Sequence, residues 1–102
     1  MRVVLSKSAA SWLRTEMHYL QQRNTAAAKH FAARIAQARL VISAHPEAGP
    51  VARSLPVPGA RTFVIGDYLL DYLIEADRIV IVTIRHGRMR SADLPLEADP
   101  ED

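Results

Sequence analysis

The stretch ARTFVIGDYLLDYLIEADRIVIVTIRH, residues 60–86, decides the fold because it contains three apolar runs separated by two short polar breaks. The runs are rich in β-branched and aromatic residues, and the breaks GD and AD are typical of tight turns. The stretch therefore predicts a β-meander. Its third run is apolar on both faces, which predicts a central strand with a neighbour on each side. RVVL, residues 2–5, is the natural second neighbour.

Two helices are predicted between RVVL and the meander. Apolar residues recur at helical spacing over residues 7–23 and again after Asn24. Ser6 or Ser8 can cap the first helix, while Asn24 ends it and Thr25 can cap the second. The second helix ends at the proline and glycine of SAHPEAG. Because the link between them is so short, the helices form an antiparallel hairpin.

The predicted element order is β-α-α-β-β-β, with the helical hairpin packed on a mostly antiparallel four-stranded sheet. This is an α+β fold. At 102 residues the chain is near the size of one domain. We expect residues 1–92 to form that domain. The acidic segment 93–102, DLPLEADPED, has two prolines and little to bury, so we expect a disordered tail.

Charge is distributed unevenly along the chain. The formal net charge is +2, yet residues 1–92 carry thirteen basic and six acidic side chains, a charge of +7. The last ten residues hold five acidic side chains and no basic one. A body this basic attracts polyanions or acidic protein partners, and the tail can screen it.

Several kinds of site are excluded by what the sequence lacks. There is no cysteine, which removes disulfides, thiol nucleophiles and most structural zinc sites. No two histidines are three or four residues apart, the glycines are too scattered for a phosphate loop, and there is no G-x-S-x-G turn. We therefore expect no metal and no cofactor. The apolar runs are too short for a membrane span or a signal peptide, so we expect a cytoplasmic protein.

Basic residues concentrate where the last strand ends, in the segment RHGRMR. If the strand stays extended, Arg85 points to one face. The other face then carries His86, Arg88 and Arg90. Arg61 begins the meander and is expected to approach the same end if its strand pairs with the neighbour of the last strand. Arginine grips phosphate or carboxylate and histidine exchanges protons near neutral pH, so this is a candidate phosphodiester site or docking patch. A solvated strand end explains the charges equally well.

The apolar helical residues are expected to be mainly core, since such stripes are usually buried. They include Trp12, Leu13, Met17 and Phe31. Tyr68 and Tyr72 share a strand face and are expected in the core with their hydroxyls at its rim.

Three short segments occur in a distinctive order. HPEAG ends the second helix, LPVPGARTFVIGDYLLDY leads into the meander with a Pro-Gly and an arginine before its first strand, and IRHGR closes the last strand. This arrangement resembles the RelE/ParE superfamily of type II toxins, and most closely its ParE branch. The resemblance extends over nearly the whole chain up to Arg90 and implies the fold described above.

The resemblance implies one of two activities. RelE-like members cut mRNA on the ribosome without a metal, and they typically place an arginine after the strand tyrosine and a tyrosine or histidine near the C-terminus. Here Leu69 follows Tyr68, and no tyrosine occurs after Tyr72. ParE-like members lack that catalytic set and inhibit DNA gyrase, so the resemblance favours a gyrase inhibitor with no catalytic residues. The alternatives are a metal-independent mRNA endonuclease using Arg61 and His86, and an inactive member that only binds antitoxin.

The resemblance also implies partners. Such toxins are encoded with a ParD-like antitoxin, whose dimeric part binds DNA and whose C-terminal segment folds onto the toxin. We expect a hetero-oligomer that contacts DNA only through the antitoxin, with DNA gyrase as the target and no membrane association. The expected target-binding residues are Arg61, Arg85, His86, Arg88 and Arg90. The expected antitoxin-binding residues are Trp12, Leu13, Met17, Leu20, Phe31 and Ile35.

Overall fold

The computed structural model describes residues 1–53 and 55–87, and within them it contains four strands and two helices. In chain order these are β1 (Arg2–Leu5), α1 (Lys7–Arg23), α2 (Thr25–Ala44), β2 (Arg61–Ile65), β3 (Tyr68–Ile74) and β4 (Arg78–His86). The sheet order is β1-β4-β3-β2. β1 runs parallel to β4, and the other pairs are antiparallel. The predicted α+β fold is confirmed, with β4 between β1 and β3.

Two capping residues set the helical hairpin. The Ser6 hydroxyl accepts a 3.0 Å hydrogen bond from the backbone N–H of Ala9, which starts α1. Asn24 both ends α1 and begins α2, where its side chain accepts from Ala27 N at 3.1 Å. The prediction that Thr25 caps α2 is wrong, because Asn24 already supplies the side-chain acceptor. A single residue therefore reverses the chain.

The core lies between the helical hairpin and one face of the sheet. Buried side chains of α2 meet buried side chains of β3 and β4. They include Phe31, Ile35, Ala38 and Ile42 from the helix and Leu70, Tyr72, Ile79, Ile81 and Ile84 from the sheet. On the opposite face of β4, Val80 and Val82 are only partly buried. The helices thus cover one face of the sheet.

A β-bulge in β4 determines which later side chains face the helices. Asp71 pairs with Thr83 whereas Tyr72 pairs with Ile81, so Val82 is an extra residue on β4. As a result Ile81 and Ile84 are both buried in the core. His86 follows Ile84 on the helix-facing side.

The loop before β2 is pressed against the sheet at Gly49. The Tyr72 hydroxyl accepts from Gly49 N at 2.9 Å and donates to Pro46 O at 2.6 Å. A Cβ atom at Gly49 would lie 2.6 Å from the carbonyl oxygen of Thr62, which is too close for any other residue. Tyr72 is fully buried in the core as predicted, whereas Tyr68 is partly buried and packs against the core.

The predicted tail, residues 93–102, lies outside the described residues, and its order and the domain boundary at residue 92 stay predictions. Among the residues that the structure describes, no helix is long and apolar enough to cross a membrane.

Candidate functional site

The end of the sheet near His86 holds three side chains from three elements. Tyr68 of β3 lies opposite His86 of β4, and Glu16 of α1 reaches both. The Tyr68 hydroxyl donates a 2.6 Å hydrogen bond to Glu16 Oε2, which lies 3.8 Å from His86 Nε2. The His86 side chain is 52% exposed and that of Glu16 only 16%. The cluster therefore exposes an imidazole to solvent, with a mostly buried carboxylate beside it.

Aromatic rings hold this cluster in place. The Tyr68 ring lies 4.7 Å from the His86 ring and 4.5 Å from the Phe31 ring, measured between centroids. Trp12 packs edge-on against Tyr68 at 5.8 Å and Phe31 at 6.5 Å. Such contacts restrict the rings, so the position of His86 is fixed from the core side.

Tyr68 is held in its protonated form. Burial raises the pKa of the Tyr68 hydroxyl well above its ordinary value, and the hydrogen bond to Glu16 with the negative charges of Glu16 and Asp67 raises it further. A phenol in this state donates hydrogen bonds but does not act as a base near neutral pH. Its role in the cluster is to anchor the Glu16 carboxylate.

Arg85 lies on the opposite face of the sheet from His86. Its guanidinium donates two hydrogen bonds to the Asp71 carboxylate, at 2.8 Å and 3.2 Å. Asp71 is only 1% exposed and also accepts from the hydroxyls of Thr62 and Thr83. The positive charge of Arg85 is therefore neutralised within the fold and is not free for a phosphate or a partner.

Arg61 lies at the far end of the sheet, so the expectation that it approaches His86 is wrong. It pairs with Tyr72, four positions along β2 from the pair that includes Tyr68. Its guanidinium donates to the carbonyl of Gly49 at 2.7 Å, which fastens the preceding loop to the sheet. The meander itself implies this placement, because antiparallel β2 starts beside the end of β3.

Arg88 and Arg90 fall outside the described residues, and their part in target binding stays a prediction. Of the five residues predicted to bind the target, the described part of the chain places only His86 at this end of the sheet with a side chain that is about half exposed. Nor do residues 1–53 and 55–87 contain a group of three or more His, Asp or Glu side chains placed to hold a metal. An exposed imidazole above a carboxylate suits hydrogen bonding to another protein.

The six apolar residues predicted to bind the antitoxin lie at different places on the molecule. Three of them, Leu13, Met17 and Ile35, line a groove of about 620 Å³ between α1, α2 and β1. Leu20 and Phe31 line a cleft of about 340 Å³ beside the β2–β3 turn. Trp12 belongs to the aromatic cluster. The groove also includes exposed positions of α2, since Leu40 on its rim is 67% exposed.

Three residues of these surfaces were not singled out from the sequence. Asp71 carried a signal, because a carboxylate inside an apolar strand must find partners when the strand is buried. Glu16 follows Trp12 by four residues, which places it on the same helix face. The sequence gives no signal for Arg39, which lines the groove near β1, because arginine is common on solvated helix faces.

Comparison with known proteins agrees with this architecture. The family model described as "ParE toxin of type II toxin-antitoxin system, parDE" matches residues 3–91. Among solved structures, a chain of "Chromosomal ParDE TA system from P. aeruginosa" is similar, with a TM-score of 0.67 and 20% identity. The match covers 84% of this chain and 95% of that one, and at this identity it concerns the fold. Comparison with curated proteins finds no match.

Proposed function

Because the chain belongs to the ParE toxin family of type II toxin–antitoxin systems, we propose that it is the toxin of such a module and that it inhibits DNA gyrase. The proposal includes a ParD-like antitoxin that neutralises the toxin in a hetero-oligomer and links the complex to DNA. The observation that carries the proposal is the set of side chains at the end of the sheet near His86, because the described residues there suit protein docking better than catalysis.

The chemistry of the sheet end supports an inhibitor over an mRNA endonuclease. Cleavage of RNA without a metal needs a base near neutral pH and cations around the scissile phosphate. Tyr68 stays protonated, which leaves His86 as the candidate base at this end of the described sheet. Arg85 is neutralised by Asp71 and does not serve as a cation for the phosphate. Glu16 places a carboxylate 3.8 Å from His86. This negative charge repels a phosphate that approaches the imidazole, so the described part of the site disfavours RNA.

We place the gyrase-docking surface at His86 and at Arg88 and Arg90, which follow it in the chain. His86 is exposed and packs on the Tyr68 ring, which itself packs on Phe31, so docking needs little rearrangement. Arg61 and Arg85 have structural roles and are left out of this surface.

We place antitoxin binding at the groove between the two helices. Its apolar lining is open to solvent, and exposed apolar grooves are common protein-binding sites. The body of the chain, at +7 over residues 1–92, suits an acidic partner. The solved structure to which the chain is similar comes from a system described as ParDE, which supports a complex of the same kind.

The test is to induce the chain alone in a bacterium and to follow thymidine and methionine incorporation over the first minutes. Gyrase inhibition predicts that DNA synthesis falls first, together with a DNA-damage response. An endonuclease would instead stop protein synthesis first and leave transcripts cut on ribosomes. Unchanged growth with verified expression would indicate an inactive member that only binds antitoxin.

A further inference from the structure

The excess positive charge of the described residues lies on the two helices. Together α1 and α2 hold six basic side chains and one acidic side chain. The basic ones are Lys7, Arg14, Arg23, Lys29, Arg34 and Arg39. The strands and loops within residues 1–53 and 55–87 hold five basic and five acidic side chains, so they add no net charge. The helical side of the molecule is therefore the side that attracts a polyanion.

The one acidic residue of the helices is turned away from solvent. Glu16 accepts the 2.6 Å hydrogen bond of the Tyr68 hydroxyl, and its side chain is 16% exposed. α2 contains no acidic residue. On the solvent side of the two helices, which the structure describes in full, an approaching anion therefore meets no carboxylate.

The solvent side of α1 carries a polar stripe whose residues are four and three positions apart, so they share one helix face. Its members are Lys7, Ser11, Arg14, His18 and Gln21, all of them exposed. None of these five described residues lines the groove between the helices or the cleft beside the β2–β3 turn. At a rise of about 1.5 Å per residue the α1 stripe is about 21 Å long. It is a surface separate from those described above.

The cations of the α1 stripe have no acidic partner among the described residues. Lys7 and Arg14 form no ion pair within residues 1–53 and 55–87. Beside the stripe, the guanidinium carbon of Arg23 lies 4.5 Å from the ring centroid of Tyr19. This contact orients the guanidinium and leaves its charge in place, because the ring is neutral.

The composition of the α1 stripe favours a nucleic acid over a protein partner. Phosphate groups of DNA are contacted mainly by lysine, arginine, hydroxyl and amide side chains. Apart from His18, which also carries N–H groups, the stripe contains only these types. The buried centre of a protein interface is instead apolar and depleted of charge. The stripe has no apolar side chain to form such a centre.

We propose that the α1 stripe binds the phosphate backbone of duplex DNA. Lys7 and Arg14 each neutralise a phosphate, while the polar side chains between and after them donate hydrogen bonds to phosphate oxygens. Such contacts are independent of base sequence. The inference goes beyond the proposed function, in which only the antitoxin contacts DNA. It gives the toxin a contact of its own with the nucleic acid on which its proposed target acts.

The experiment measures fluorescence anisotropy of a short labelled DNA duplex during titration with the purified full chain, made by cell-free synthesis. The association constant is determined between about 50 and 200 mM salt. Each phosphate that a cation neutralises steepens the plot of log K against log salt by about 0.9. Lys7→Gln combined with Arg14→Gln should therefore reduce the slope by about 1.8 and lower the affinity at about 50 mM salt at least about tenfold.

Matched variants locate the effect. Arg2→Gln combined with Arg53→Gln removes the same charge from two exposed side chains outside the helices, and it should reduce the slope by less than about 0.5. Gln21→Arg adds a cation to the stripe and should steepen the slope by about 0.9. Ser11→Glu places a carboxylate between the two cations and should weaken binding at least about fivefold. All of these side chains are exposed, and circular dichroism should show the same fold for every variant.

Three results would overturn the inference. They are a wild-type chain that does not bind the duplex at about 50 mM salt, equal slope changes in the stripe variant and its control, and displacement of the duplex by polyglutamate as readily as by unlabelled DNA of equal charge. The last result would assign the stripe to an acidic protein. The assay contains neither gyrase nor antitoxin, so its failure would leave the proposed function standing.

Discussion

Arg85 and His86 are adjacent in the sequence, yet they occupy different surroundings on the two faces of one sheet. The Arg85 side chain is 14% exposed and bound to Asp71, which is itself buried. The His86 side chain is 52% exposed and rests on the Tyr68 ring near the Glu16 carboxylate. This difference shows that the number of basic residues in a segment does not give the positive charge that is available to a partner. That available charge depends on the carboxylates close to each basic side chain.

The largest expected effect on stability comes from breaking the buried ion pair between Asp71 and Arg85. Asp71→Asn leaves the Arg85 guanidinium without a counter-charge in a site where Asp71 is 1% exposed. Removing one member of a buried pair destabilises a protein by roughly 3–5 kcal/mol. We expect the free energy of unfolding to fall by about 3 kcal/mol, measured by urea denaturation.

The matched control is Glu75→Gln, which breaks the exposed pair with Arg78 near the opposite end of β4. Both side chains there are more than 40% exposed, at 44% and 43%. The free energy of unfolding should change far less than in Asp71→Asn, because solvent screens an exposed ion pair. Equal losses in the two variants would show that Asp71 is not the organising charge of the outer face.

Tyr68→Phe tests the surroundings of His86 through the pH dependence of the free energy of unfolding. The pKa of Tyr68 in the folded protein lies above its ordinary value of about 10. As the pH rises, the unfolded chain therefore loses this proton before the folded chain does. Stability that is fully present below about pH 10 should then fall by up to about 1.4 kcal/mol per pH unit above it. Tyr68→Phe removes this component.

The measurement is urea unfolding of the wild type and Tyr68→Phe between about pH 8 and pH 11. At pH 8 the variant should be less stable by about 1 kcal/mol, because it lacks the hydrogen bond to Glu16. The two curves should converge as the pH rises. Parallel curves would mean that the Tyr68 proton is not held by its surroundings.

The smallest stability effect is expected for His86→Gln. The imidazole is half exposed and its distance to Glu16 is 3.8 Å, longer than a hydrogen bond. We expect a change of less than about 0.5 kcal/mol in the free energy of unfolding. A loss as large as that of Asp71→Asn would place His86 among the structural residues and remove it from the docking surface.

Much of the fold follows from local signals in the sequence. Ser6 caps α1 because its side chain accepts a backbone N–H group, and Asn24 ends α1 as predicted, although Asn24 and not Thr25 also caps α2. The central position of β4 follows from its apolar residues on both faces. These features depend on neighbouring residues alone, which is why they are predictable.

The site depends on register, which the local sequence does not determine. Thr83 and Arg85 of β4 meet Asp71 because a bulge at Val82 sets the pairing of β3 with β4. Thr62 meets Asp71 through the pairing of β2 with β3. Glu16 reaches His86 only because α1 crosses the end of the sheet. The position of Arg61 is an exception that the sequence does imply, since the turn between antiparallel β2 and β3 places the start of β2 at the far end of the sheet.

The most direct test of the central claim is a supercoiling assay with purified DNA gyrase and relaxed plasmid. We predict that the wild-type chain inhibits supercoiling, and that His86→Gln combined with Arg88→Ala and Arg90→Ala abolishes inhibition. Arg78→Ala, a loss of exposed positive charge near the other end of β4, should inhibit like the wild type. Supercoiling that the wild type leaves unchanged would contradict gyrase inhibition, and undiminished inhibition by the triple variant would contradict docking at the sheet end.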